Sequence, residues 1–112
     1  MRDDRGRLLD IADSITQIER YAPVAKEDFL ENELVQIWII HHLQVIGEAA
    51  SSLSPDVRSH TPEIPWQAIV GLRNILVHAY FRVDPEELWV VVERDIPLLK
   101  KSVGDLLDDQ AT

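Results

Sequence analysis

The segment from Pro65 to Tyr80 restricts the possible folds of this chain more than any other part of the sequence. On a helical wheel, at about 100° per residue, its apolar side chains occupy most of the circle. The polar strip that remains consists only of Gln67, Gly71, Asn74 and His78. A helix with so little polar surface must be covered on nearly every side. A domain of 112 residues rarely offers that much cover, so the pattern predicts a homodimer in which a second copy packs against this helix.

Helical spacing also runs through the other long segments, and no segment shows the sustained alternation of a β-strand. The predicted long helices cover residues 8–22, 33–53, 65–80 and 85–106. The polar stretch 24–33 predicts a short helix or turn, and the proline- and serine-rich stretch 51–65 predicts a connection with room for one helical turn. We therefore predict an all-α fold, an up-and-down four-helix bundle with short extra helical turns, in a single domain covering residues 1–112.

Local signals indicate where these helices begin and end. Pro23 closes the first helix. The stretch "DPEE" predicts a helix start, with Asp84 as N-cap, Pro85 in the first helical position and Glu87 reaching back to the cap. Further along the same helix, Pro97 predicts a bend.

Charge and composition narrow the possible classes of function. The net charge of −9 disfavours binding of nucleic acid through bulk electrostatics. The segment between Glu63 and Asp84, however, contains no acidic residue, and it includes Arg73 and Arg82. An anion is therefore expected to bind along this segment. The absence of cysteine, of an apolar signal core at the N-terminus and of an apolar run of membrane-spanning length predicts a reducing, cytoplasmic location.

Arg73 is unusual because the helical wheel places it in the apolar sector instead of the polar strip. One explanation is ordinary: its stem packs against the bundle while its guanidinium reaches water. A functional explanation is also open, because Asn74 and His78 stack on one helical face and Arg73 is long enough to reach the same space. Gly71 costs about 1 kcal/mol relative to alanine inside a helix, which is consistent with the close approach of a neighbour.

A second thin polar line, on the second predicted helix, consists of His41, Gln44 and Glu48. Buried polar groups are costly unless they are paired. If the two polar lines face each other, Glu48 is the carboxylate that pairs with Arg73 or His78.

The stretch "IPWQAIVGLRNILVHAYFRVD" resembles the signature of the HEPN superfamily, and specifically of the HepT-like toxins of MNT–HEPN toxin–antitoxin systems. The motif of that family is an arginine, a polar residue, a few further residues and a histidine, with a tyrosine two positions later. Here these residues are Arg73, Asn74, His78 and Tyr80. The flanks "LQVIGEAASSLS" and "YFRVDPEELWVVVERDIPLLK" also resemble this branch. One departure is the pair of histidines at 41 and 42, where Arg-Asn or similar residues would be expected.

The resemblance implies an all-helical homodimer. It implies a metal-independent endoribonuclease whose active site forms where the motifs of two copies meet, with no cofactor. It further implies a cognate nucleotidyltransferase antitoxin of the MNT type, which in this family can attach AMP to the motif tyrosine, here Tyr80.

The residue types suit RNA cleavage by the 2′-hydroxyl of the substrate. An imidazole such as that of His78 can remove or supply a proton near neutral pH. The guanidinium of Arg73 can stabilise the charge of the phosphorane, and Asn74 can orient the imidazole or the phosphate. Glu48 and Gly71 would support this site, and the expected product ends in a 2′,3′-cyclic phosphate.

Other functions remain open. A catalytically silent module of the same fold could bind nucleotides or RNA ends through Arg73. A plain helical dimer could hold a partner protein, since its acidic faces would suit a basic surface. A metalloenzyme is disfavoured, because the four histidines show no ligand spacing and cysteine is absent.

Overall fold

A computed structural model describes residues 3–23, 25–71 and 84–111, and all the regular structure in these ranges is helical. The helices are α1 (Asp4–Tyr21), α2 (Lys26–Glu31), α3 (Glu33–Ser51), α4 (Pro55–Ser59), α5 (described over 66–71), α6 (Pro85–Val90) and α7 (Ile96–Ala111). A π-helical turn, Val91–Asp95, joins α6 to α7. The predicted all-α fold is confirmed.

Side-chain caps begin four of the helices. The cap residues are Asp3, Asn32, Ser54 and Asp84. Each accepts a hydrogen bond from a backbone N–H of the first turn, which would otherwise lack a helical partner. The predicted cap at Asp84 is confirmed, and its carboxylate accepts from the Glu86 N–H at 2.9 Å. The reciprocal contact that the sequence predicted for Glu87 is not among the hydrogen bonds of the described residues.

The core lies where α1 packs against α3 and α7. Its fully buried side chains are Leu8, Ile11, Ile15, Ile18, Phe29, Ile39, Ile46 and Val103. Removing an apolar side chain of this size from water contributes about 1.5–3 kcal/mol. The apolar face of α1, formed by Leu8, Ile11, Ile15 and Ile18, therefore holds this helix on the bundle.

The short helix α2 contributes more to the core than its polar sequence suggests. Phe29 is 0% exposed, and its ring lies 5.2 Å from that of Trp89 in α6. The Gln36 side-chain amide donates to the carbonyls of Phe29 and Leu30, at 2.9 and 3.1 Å, and so satisfies the C-terminal end of α2. α2 is thus fastened both to α3 and to α6.

The last predicted helix contains its irregularity one turn earlier than expected. The Ile96 N–H donates to the carbonyl of Val91, five residues back, which defines the π turn. Pro97 itself lies within α7. In a regular helix its ring would clash with the carbonyl of Glu93, four residues back, and it has no N–H to donate. The wider turn before the proline accommodates its ring, and the bend at Pro97 stays a prediction.

Candidate functional site

The predicted catalytic residues Arg73, Asn74 and His78 lie outside the described residues, as do the predicted modification site Tyr80 and the nearby Arg82. The described chain leads up to this segment with α5 and continues after it with α6. The structure therefore shows the chain on either side of the motif, here called the frame, and the roles of the motif residues remain predictions.

The start of α5 is anchored by a buried tryptophan. Trp66 is 5% exposed, and its indole N–H donates to the Thr61 hydroxyl at 2.8 Å. The Thr61 hydroxyl donates in turn to the Val57 carbonyl of α4, at 3.0 Å. This chain of hydrogen bonds fixes the rotation of α5 about its own axis. As a result Gln67, the first residue of the predicted polar strip, is exposed and Gly71 is half-buried.

An apolar cavity of about 120 Å³ is bordered by α3, by α5 and by the π turn and start of α7. Its lining residues are Leu43, Ile46, Ile64, Pro65, Ala68, Ile69, Val91, Asp95, Ile96, Leu98 and Leu99. The predicted second and third helices are therefore neighbours, as a contact between their polar lines requires.

The polar line of α3 lies at the protein surface. His41 and Glu48 are exposed and Gln44 is half-buried. Glu48 is two residues beyond Ile46, which faces α5 across the apolar cavity. The pairing of Glu48 with the motif stays a prediction.

Gly71 was expected to allow the close approach of a neighbour. A Cβ atom built at Gly71 would meet no described atom within 4 Å, apart from its own helix and chain neighbours. Within the described residues, therefore, nothing explains why this position needs glycine.

The two histidines of α3 have different surroundings. His42 is half-buried, with its Nδ1 atom 3.2 Å from the Ser14 hydroxyl of α1 and its ring 4.6 Å from that of Trp38. Its Nε2 atom is buried without a hydrogen-bond partner among the described residues. Burial lowers the pKa of His42, and the neighbouring His41 lowers it further. His42 is thus a neutral packing residue between α1 and α3, a role that its place in the sequence did not reveal.

Stability is expected to fall as the pH falls, through His42. Because the folded protein lowers the pKa of His42 below its ordinary value of about 6.5, the unfolded chain takes up a proton more readily. The resulting loss of stability begins near that ordinary value and grows as the pH falls towards the folded pKa. Thermal unfolding should show a smaller drop in Tm between pH 7.5 and 5.5 for His42→Gln than for the wild type.

The exposed His60 provides the matched control for this experiment, because its side chain is 70% exposed. His60→Gln should change the drop in Tm between pH 7.5 and 5.5 less than His42→Gln does. An equal effect of the two substitutions would contradict the assignment to His42.

An open groove lies between α4 and the start of α5. Its lining residues are Pro55, Arg58, Ser59, Ile64, Pro65, Trp66 and Gln67. Arg58 supplies the positive charge of the groove. The sequence analysis did not identify this residue as a candidate site residue. The available signal was its position shortly before the acid-free segment that follows Glu63.

The described residues contain neither a metal-binding cluster nor a membrane-spanning helix. No three side chains of histidine, cysteine, aspartate or glutamate come together there as potential metal ligands. No helix in the described ranges is long and apolar enough to cross a membrane.

Known proteins with similar sequences point to one family. Residues 11–106 match the family described as Ribonuclease HepT-like. The probable ribonuclease HepT of Thermococcus cleftensis is 41% identical over 100 residues, which cover 88% of this chain and 91% of the relative. A candidate RNase of Methanocaldococcus jannaschii is 37% identical over 103 residues, which cover 91% and 94%. No solved structure matches the chain significantly.

These similarities confirm the resemblance seen in the motif and its flanks. The chain belongs to the HepT-like ribonuclease family of the HEPN superfamily.

Proposed function

We propose that this protein is the toxin of a toxin–antitoxin pair and acts as a metal-independent endoribonuclease, with its active site at a homodimer interface. The observation that carries the proposal is the match of residues 11–106 to a ribonuclease family, together with the Arg73-x4-His78 motif inside that range. The described part of α5 is compatible with this proposal. Its exposed Gln67 lies on the helical face that the sequence predicts for Asn74 and His78.

In the proposed reaction the imidazole of His78 acts as general base and general acid. A neutral imidazole takes the proton of the 2′-hydroxyl, whose oxygen then bonds to the adjacent phosphorus. The bond from phosphorus to the 5′-oxygen breaks, and a protonated imidazole supplies the proton to that oxygen. The products are a 2′,3′-cyclic phosphate and a 5′-hydroxyl. Two copies of the chain would bring two histidines, one for each role.

Arg73 would stabilise the charge that develops on the phosphorane. Its guanidinium stays protonated at any physiological pH and offers two parallel N–H groups to phosphate oxygens. Asn74 would orient the imidazole or the phosphate. Glu48 would hold Arg73 or His78 from α3, which lies beside α5.

The proposal is tested with purified protein and single-stranded RNA in the presence of EDTA. Cleavage should persist, since no step requires a metal, and sedimentation at micromolar concentration should show a dimer. Loss of cleavage in EDTA would contradict the metal-independent reaction, and a stable monomer would contradict the shared site. Binding of RNA without any cleavage would favour the catalytically silent module, and binding of neither RNA nor nucleotide would favour a protein-interaction dimer.

Regulation is expected to act on Tyr80, through a nucleotidyltransferase partner that transfers AMP from ATP to the phenol oxygen and releases pyrophosphate. The added phosphate would bind Arg73 or Arg82 by a charge-assisted hydrogen bond and occupy the cation that the substrate needs. Incubation with ATP, Mg²⁺ and the partner enzyme should add the mass of AMP to the wild type and abolish cleavage without unfolding. An equal mass gain on Tyr80→Phe would remove Tyr80 from this role.

A further inference from the structure

The groove between α4 and the start of α5, here called the Arg58 groove, lies in line with the predicted motif. Gln67 belongs both to the lining of this groove and to the polar strip that continues through Gly71 to Asn74 and His78. The spacing of these residues is that of a single helical face. An extended ligand that reaches the motif can therefore continue along the same face into the groove.

Arg58 is held in place and still has donors to offer. One of its terminal N–H groups donates to the Ala50 carbonyl at the end of α3, at 2.6 Å. Its Nε atom is buried and out of reach of a ligand, so the donors that remain are the other terminal N–H groups, and no described carboxylate forms an ion pair with the guanidinium. A guanidinium carries five N–H groups and cannot lose its charge in a protein. The groove therefore contains a fixed cation that the described fold does not neutralise.

The charge around the groove favours an anion, in a protein whose net charge is −9. None of its lining residues is acidic. The acids nearest in sequence are Asp56, which faces His60, and Glu63, and neither lines the groove. The acid-free segment begins inside it, at Ile64. A polyanion is repelled less here than along the acidic faces of the protein.

The groove is suited to a phosphate more than to a base. Trp66, its one aromatic residue, is 5% exposed and its indole N–H is already bonded to Thr61, so no ring is available for stacking. What remains are the guanidinium of Arg58 and the amide of Gln67, because the Ser59 hydroxyl already donates to the Asp56 carbonyl at 2.9 Å. Contacts of this kind position the nucleic acid backbone without reading its sequence.

We propose that the Arg58 groove binds a backbone phosphate of the RNA substrate, at a nucleotide away from the cleaved bond. This inference rests on the proposed ribonuclease function, and it assigns Arg58 a positioning role outside the reacting atoms. It explains how an acidic protein holds a polyanion, since a second fixed cation extends the contact beyond the motif.

The test separates binding from cleavage by using His78→Ala as a background that holds RNA without cutting it. Affinity for a fluorescent single-stranded RNA is measured by anisotropy over a range of salt concentrations. In this background Arg58→Gln should raise Kd by about 3- to 10-fold, because a charge-assisted contact is lost. The slope of log K against log salt should become shallower by about 0.7, the value for one phosphate contact in a single strand. In the otherwise wild-type protein the same substitution should raise KM and leave kcat unchanged.

Two further substitutions guard against an effect on folding alone. Arg94→Gln removes one positive charge from an exposed residue of the π turn, and it should leave both Kd and the salt slope unchanged. Gln67→Glu adds a carboxylate to the groove at an exposed residue and should weaken binding, whereas Thr16→Glu on the exposed face of α1 should weaken it less. Thermal unfolding identifies any variant that loses its fold. If Arg58→Gln is such a variant, the comparison of Gln67→Glu with Thr16→Glu still tests whether RNA binds in the groove.

The outcomes distinguish this inference from the proposed function. If RNA is bound but Arg58→Gln and Arg94→Gln have the same Kd and salt slope, the groove is not a phosphate site, while the ribonuclease proposal stands. If the wild type neither binds nor cleaves RNA, both proposals are overturned together.

Discussion

Replacing His78 with alanine is expected to lower kcat for RNA cleavage by about 10²- to 10⁴-fold, the usual contribution of a positioned general acid or base. The proton of the 2′-hydroxyl then has no acceptor in place, and the 5′-oxygen must leave without receiving a proton. Steady-state cleavage of a defined single-stranded RNA measures the effect, and circular dichroism checks that the variant keeps its helical content.

His60→Ala is the matched control, because His60 lies in the described frame with its side chain 70% exposed. Its kcat should stay close to that of the wild type. A His78→Ala protein that folds normally and cleaves at the wild-type rate would falsify the catalytic assignment.

Substitution of Arg73 by lysine is expected to lower kcat by about 100-fold, comparable to the loss of a single donor to a developing oxyanion. Lysine keeps the positive charge but lacks the planar pair of N–H groups that a phosphorane can engage together. The stability of the variant should stay near that of the wild type, as measured by thermal unfolding alongside the cleavage assay.

The control for Arg73 is Arg94→Lys, at an exposed position of the π turn, which should change neither cleavage nor Tm. If Arg73→Lys instead unfolds at a much lower temperature, Arg73 is mainly a structural partner of a carboxylate such as Glu48. In that case the ordinary explanation of a packed arginine is favoured.

Within the described residues, the sequence predicted α1, α3 and the start of α6 well, because apolar spacing and capping residues act over a few neighbouring positions. The apolar face of α1 and the cap at Asp84 are both of this local kind. The role of Phe29 was not predictable in the same way. It lies in a polar stretch, and only the packing of α2 against Trp89 in α6 shows that its ring is buried.

The position of the helix irregularity near Pro97 shows a similar limit. A proline rules out a regular helix around itself, but the backbone can adapt on either side. Here the backbone forms a π turn over Val91–Asp95, after Trp89 of α6 and before the start of α7. The position of such a turn depends on how the helices pack against one another. The periodicity of a single helix carries no information about that packing.

For the site, the sequence identified the motif and the structure identified its surroundings. Arg73, Asn74 and His78 followed from spacing and from the resemblance of their flanks, since both are read along one segment. The Arg58 groove was missed because it joins Arg58 of α4 to Gln67 of α5 across the connection between them. His42 was noticed only as a departure from the family pattern, and its burial depends on Ser14 of α1.

In the proposed reaction, the imidazole of His78 cleaves RNA through the 2′-hydroxyl of the substrate. The most direct test of this reaction is cleavage, in EDTA, of one synthetic RNA and of the same strand with a single 2′-deoxy nucleotide on the 5′ side of the cleaved bond. The all-RNA strand should be cut to a 2′,3′-cyclic phosphate and a 5′-hydroxyl, and the 2′-deoxy strand should not be cut at that bond. Cleavage of both strands at equal rates, or a product with a 3′-hydroxyl end, would contradict this reaction.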